Sequence, residues 1–462
     1  MGQLIVTIPR TAAGEVALQH LQGPGADRFR ISYVESLSER LRGPRLDSAG
    51  AVDQFGESFH LLNVPEGEEL VTIIRLSQFH NQPEPLGMRG KIDAVELNQS
   101  ATLSGASVQL DSVNHPANLV NLNVAAAHQK GVTGKDIRVA VVDTGTDGLS
   151  YIHDFYDLLN AGNQHPGKAG QLDRHGHGTT MASIIHAVAG DAEIWPVRIS
   201  DKGTLAIWDI LAGICVAAID CAADIISLSL GVPDLGGSPC PWCGSLAHVR
   251  SLAFEKLLDG LAQRNATRPV FVAATGNDGR STGFHYPAAY SIVAATGSIN
   301  SNEHRSQFSN YGTAGHRNYW MAPGGETLPD LKTVTEPVDK TNGKDNAGTS
   351  EATAYSAGML ALFRSEAAYR NKNRPDFLDA IVQNHCVPPS HTSPAPSDYG
   401  AGIIRYSQPP SPLPPPLPPP SAASQIVDMG SFVLIKDLVL SKSRLIRLIN
   451  VHKEQLREDD DF

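Results

Sequence analysis

The sequence has no apolar run of the length a membrane-spanning helix needs, about 20 residues; clusters such as 432–435 are typical of its longest. The first thirty residues lack the order of a secretory leader, in which a basic stretch precedes an apolar core and a small-residue cleavage site. The expected address is therefore cytoplasmic, and Val6 stands where an N-myristoylated Met-Gly start would carry Ser or Thr. Cysteine is scarce and odd in number, and Cys215, Cys221 and Cys386 sit in apolar segments, which fits a reducing compartment. A second Cys-x-x-Cys is missing. With His248 as its sole conceivable further ligand, Cys240-Pro-Trp-Cys243 is expected to be a structural loop rather than half a zinc site, a redox pair or a local disulfide clip, and no metal is expected there. Positive charge is also short. The 37 Lys and Arg against 48 Asp and Glu leave a net charge of −11, which argues against nucleic acid and against anionic membrane surfaces as partners.

What remains is a soluble globular composition, 41% hydrophobic and 18% charged, in a chain long enough for two or three domains. Residues 1–110 carry strand-like runs at 4–8, 29–33 and 70–76 between Gly, Pro and acidic turns, and read as a small α+β domain with no catalytic cluster. Residues 111–406 change to long β-to-α alternation. Residues 407–424 form a proline-rich linker, extended and semi-rigid. In the tail, 425–462, apolar and basic residues alternate over 432–456 and predict a surface-docking amphipathic helix.

Within 111–406 the chemistry gathers at segment ends. Residues 137–142 form a near-continuous apolar strand, of the kind buried on both faces of a parallel sheet, and lead into Asp143-Thr-Gly-Thr-Asp147. Functional groups of open α/β sheets collect at such carboxyl ends, although Asp147 and Asp173 compete with Asp143 for any role. His177-Gly-Thr-Thr opens a helix, with His175 as its rival. Residues 225–231 read as a buried strand running into a loop, and 269–279 as a strand ending in a turn at Gly276-Asn277. Asn277 is a turn former, or an amide that can face a developing oxyanion. Asn346-Ala-Gly-Thr-Ser350 runs into an alanine-rich helical pattern reaching about residue 370. Ser350 at that start is either a helix cap or a nucleophile placed where free backbone N–H groups and the helix dipole favour negative charge.

Taken in order, Asp143-Thr-Gly, His177-Gly-Thr, Ser229-Leu-Gly231, Gly276-Asn277 and Gly348-Thr-Ser350 resemble the motifs of the subtilisin-like serine proteases. Tyr286-Pro287, Phe308-Ser309, Met321-Ala-Pro-Gly324 and Tyr399-Gly-Ala-Gly402 add to the likeness. The resemblance implies an α/β fold with a doubly wound, mostly parallel sheet and flanking helices, preceded by the small α+β domain and followed by linker and tail. It implies a serine endopeptidase with Ser350 as nucleophile, His177 as general base and acid, Asp143 orienting the imidazole, and Asn277 with the Ser350 N–H receiving the oxyanion. Ser229, Leu230 and Gly231 match the edge on which a protein or peptide substrate lies as an added strand, and Thr275 and Gly276 a wall of the specificity pocket. His285 falls near the floor of that pocket, where it would disfavour large aromatic side chains, or points away into a turn.

The sequence departs from the family at Glu351 and at Ala354, where proline is common. Glu351 suits a helix start, and could equally repel acidic substrates or raise the pKa of the base. The departures keep a peptide ligase or transpeptidase open beside hydrolysis, and a catalytically silent scaffold on the same fold is the reading from another class. Between His177 and residues 194–199 there is no room for the calcium loop of secreted relatives, so no calcium is expected there, and no cofactor. Residues 232–250 would form a lip on the cleft. The resemblance leaves the N-terminal domain as either an inhibitory prodomain, with 103–115 placed to enter the cleft, or a retained sensor.

Overall fold

The computed structural model describes the chain except for residues 1, 44–45, 82–89, 103–115, 234–250, 266, 282, 313–315, 329–333, 337–338, 342–343, 392–395, 408–425, 429–431, 436–437 and 442–462. Cys240, Cys243, the linker prolines, most of the 232–250 insertion and the 103–115 segment lie outside the described residues. The chain divides into two units, Met1–Gln408 and Pro409–Phe462.

In the first unit, β1 (Gly2–Pro9), β2 (Ser32–Ser36), β3 (Glu57–Val64) and β4 (Ala94–Leu97) form an antiparallel sheet in the order β2-β3-β1-β4. The alternation along β1 explains how it is held. Leu4, Val6 and Ile8 face a local core with Ala17 and Leu21 of helix α1 (Ala12–Gln22) and Ile73 and Leu76 of α2 (Glu69–Asn81). Ile5 on the other side joins Phe59 and Leu61 in the core of the larger domain. The run at 70–76 is thus a helix, not the expected strand. Ile73 and Leu76, three apart, are buried while Leu70 and Val71 are exposed, the spacing of a helix with one apolar stripe. The run at 29–33 becomes a strand only from Ser32, because residues Pro24–Phe29 coil into a 3-10 turn that ends at Arg30 with φ 56°.

The larger domain is built on a nine-stranded sheet. Its strands are β6 (Arg138–Asp143), β7 (Tyr156–Asp157), β8 (Glu193–Arg198), β10 (Ile225–Leu228), β11 (Val270–Ala274), β12 (Ala294–Ile299), β13 (Tyr319–Pro323), β14 (Cys386–Val387) and β15 (Ile403–Ile404), while β5 (Ser100–Thr102) and β9 (Thr204–Ala206) pair with each other apart from it. The order is β14-β15-β13-β12-β11-β10-β6-β8-β7, parallel throughout except for β14 at the edge. Both faces are covered. Ala140 and Val142 of β6 join a core with helices α4 (Ile207–Ile219) and α5 (Leu252–Arg264), whereas Val139 and Val141 join one with α3 (His177–Val188), α6 (Thr349–Ser365) and α7 (Arg374–His385). This double burial is why the strands are continuous apolar runs. From β6 the chain winds outward through β8 on one side and through β10 to β13 on the other. The boundary between β6 and β10 is therefore a switch point, with a crevice at the carboxyl ends.

In the second unit, Ile426–Asp428, Phe432–Ile435 and Leu438–Ser441 form a small antiparallel sheet. The expected amphipathic helix is absent over these described residues. Two runs rich in Val, Ile and Leu, separated by two residues, favour a hairpin over a helix. Among the described residues no helix is long and apolar enough to cross a membrane.

Candidate active site

Asp143 ends β6 at the switch point and is fully buried. Its carboxylate lies 2.8 and 2.9 Å from Nδ1 of His177, and Oδ1 also accepts from the Thr144 N–H at 2.7 Å. His177 is the first residue of α3. The helix reaches the Asp143 turn because Gly178 follows, where an added Cβ would lie 2.2 Å from the Gly145 carbonyl oxygen. The rival residues have other work. Asp173 binds the N–H groups of His175, Gly176 and Thr179 and so caps the approach to α3, while Asp147 is exposed. The His175 ring lies 6.2 Å from that of His177, centroid to centroid. Burial and the neighbouring His177 charge hold its pKa down.

With Asp143 on Nδ1, the other ring nitrogen of His177 is left without a carboxylate partner. Nε2 is buried and has no hydrogen-bond partner among the described residues. Burial pushes this imidazole toward the neutral form. The charge and hydrogen bond of Asp143, then the charges of Glu351 and Asp173, outweigh it and raise the pKa to about 9.

Ser350 occupies the first turn of α6. Its Oγ donates to the Ser229 carbonyl at 2.9 Å, and Ser229 Oγ returns a bond to the Ser350 carbonyl at 3.0 Å. In this state the hydroxyl therefore rests on the strand end of β10 rather than on the imidazole. Asn277 is tied to the residue before Ser350. Its Oδ1 accepts from both N–H and Oγ1 of Thr349, at 2.9 and 2.8 Å, which fixes the amide with Nδ2 turned the other way. Asn310 braces that loop by accepting from the Asp278 and Arg280 N–H groups and donating to the Thr275 carbonyl.

His285 does not point away into a turn. Its N–H donates to Thr275, and its ring lies against both Gly231 and Gly276 with Nε2 2.5 Å from Asp278. Leu230, 1% exposed, belongs to the core below. The sequence motifs give Asp278, Asn310 and Thr349 no role of their own; their one legible signal is adjacency to Asn277 and Ser350, and in Asn310 to Phe308-Ser309. No three His, Cys, Asp or Glu side chains among the described residues are grouped to hold a metal ion.

A doubly wound sheet with a carboxylate-held histidine and a helix-opening serine at its switch point defines a serine hydrolase. Residues 134–402, more than half of the chain, match the subtilase family, and the chain belongs to that family as a subtilisin-like serine endopeptidase. It is 28% identical to subtilisin BL of Lederbergia lenta over 299 residues, 63% of this chain and 96% of that one. Subtilisin E of Bacillus subtilis (strain 168) is 29% identical over 323 residues, 65% of this chain and 74% of the relative. The alkaline protease of Alkalihalobacillus alcalophilus is 27% identical over 325 residues, 68% and 75% respectively.

Proposed function

We propose that the chain hydrolyses peptide bonds in protein substrates through an acyl-enzyme on Ser350. The observation that carries this reading is the grip of Asp143 on Nδ1 of His177, which leaves Nε2 as the proton acceptor. Ser350 Oγ bonds to the substrate carbonyl carbon as its proton passes to Nε2. The carbonyl oxygen becomes an anion between Nδ2 of Asn277 and the Ser350 N–H. Collapse breaks the C–N bond, and the proton leaves Nε2 with the amine. Water then repeats the sequence and frees the acid. Ser229 to Gly231 would receive the substrate backbone, with Thr275, Gly276 and His285 around the side chain at the cut. Fluorophosphonate labelling followed by intact-mass analysis tests the reading: one adduct is expected on the wild type and none on Ser350→Ala. Equal labelling of both proteins contradicts it.

We also infer that the N-terminal domain restrains the enzyme. Support comes from β5, which lies antiparallel on β9 with Ala101 fully buried, while Gly203, just before β9, sits against His175. His177 and Ser350 are 3% and 2% exposed, an enclosed site. Peptidase activity that is unchanged when β5 is disrupted by Ala101→Asp would argue against restraint. We infer a reducing, cytoplasmic setting from the small and odd number of cysteines in the sequence, and recovery of the chain outside its cells would oppose it.

A further inference from the structure

The slot beside Ser350 is already occupied by this chain's own side chains. Parallel neighbours β10 and β11 continue beyond the sheet as Ser229 to Gly231 and as Thr275 to Asn277. Residues 285 and 286 stitch the two extensions together. The His285 N–H donates to the Thr275 carbonyl at 2.9 Å, and Tyr286 exchanges backbone bonds with Val232 at 2.8 and 2.9 Å. Ser350 is bound to the first extension through Ser229, and Asn277 belongs to the second. On the proposed reading, a substrate backbone along Ser229 to Gly231 with its carbonyl oxygen toward Asn277 places the side chain at the cut between the two extensions.

That space holds the His285 imidazole. A methyl group added at Gly231 would lie 2.7 Å from His285 Cβ and 2.8 Å from Nδ1, and one added at Gly276 would lie 2.7 Å from Cγ. All three distances are below van der Waals contact, so His285 leaves no room for a side chain on either wall. Nor is the ring free to swing aside. Nε2 is 2.5 Å from Asp278 Oδ2, and the Asp278 N–H is itself tied to Asn310 at 3.0 Å. The side chain of His285 is 8% exposed.

We propose that the Asp278-anchored ring of His285 limits this protease to substrates with a small residue, Gly, Ala or Ser, on the amino side of the cut. This deepens, and rests on, the reading of Ser350 as nucleophile. Discrimination by a filled apolar slot is about 10- to 200-fold for a mismatch of one methylene, and an aromatic ring exceeds that mismatch.

The test uses the full chain and two peptidyl diphenyl phosphonates that differ in the side chain beside phosphorus, methyl or benzyl. Intact mass follows the rate of Ser350 modification. The wild type is expected to react at least about 10-fold faster with the methyl reagent. His285→Gly is expected to gain at least about 10-fold toward the benzyl reagent and to lose the preference. Equal wild-type rates with both reagents overturn this inference alone, with no variant required. An unchanged preference in His285→Gly overturns it as well. Modification of Ser350 by neither reagent, even with the N-terminal domain released by Ala101→Asp, overturns the nucleophile reading, and this inference with it.

Discussion

Asp143 meets His177 with both carboxylate oxygens at nearly equal distance, 2.8 and 2.9 Å from Nδ1. A raised imidazole pKa has two consequences of opposite sign. On the proposed mechanism the general base is the neutral ring, so kcat/KM should rise with pH through about 9. The stability that the imidazolium contributes is fully present below the ordinary 6.5 and is lost as pH rises through about 9. A pH series of fluorophosphonate labelling rates measures the first. A rate already level at neutral pH would contradict it.

Glu351 is 1% exposed, one residue after Ser350, and its charge adds to the proton affinity of His177. Glu351→Gln should therefore move the midpoint of that pH profile downward while Ser350 remains reactive. An unmoved midpoint with a uniformly lower rate would assign Glu351 to packing.

Thr349 fixes the Asn277 amide through two donors. If Asn277 receives the oxyanion as proposed, Asn277→Ala should lower kcat by about 10² to 10³ with KM little changed, because the lost hydrogen bond would form with the transition state. Thr349→Val removes one of the donors and should produce a smaller loss of the same kind. Steady-state kinetics on one peptide would separate this from a binding defect, which raises KM instead.

Glu96 of β4 caps α5, accepting from the Leu252 and Ala253 N–H groups at 2.8 and 3.1 Å and from Ser251 Oγ. Burial drives its pKa from 4.5 up to about 7, against the pull of those hydrogen bonds. The docked domain thus holds the proton more tightly than an undocked one. Docking should be strongest below 4.5 and weaken as pH rises through about 7, by about 3 kcal/mol at most. Amide exchange at Leu252 and Ala253, corrected for intrinsic pH dependence, would follow it. Glu96→Gln should flatten the trend, and a slope equal to that of the wild type would locate the titration elsewhere.

The sequence made the larger domain legible because a strand buried on both faces is a continuous apolar run, as in 137–142, and because Asp143, His177 and Ser350 each stand at an element's end. The smaller domain was less legible. Its β3 and β4 carry no distinctive turn, and the apolar residues of 69–81 suit either period until packing selects Ile73 and Leu76. Contacts between distant segments were not readable at all. Glu96 and Ser251 are 155 residues apart, and Asn310 meets the Asp278 N–H across 32. Such pairs leave no periodic trace, since each is one polar residue in one loop.

Residues 94–102 cross the amino ends of two helices. Glu96 caps α5, and Asn98 and Gln99 accept from the Trp208 and Ile207 N–H groups at the start of α4. While the chain is whole, 103–115 keeps these contacts intramolecular, at an effective concentration of about millimolar or more. A single break between the two domains would leave these contacts of 94–102 possible and still change their order of reaction, from one molecule to two. Dilution alone would then decide how much of the domain stays bound, and activity that grows on dilution of the nicked protein, but not of the intact one, is the expected signature.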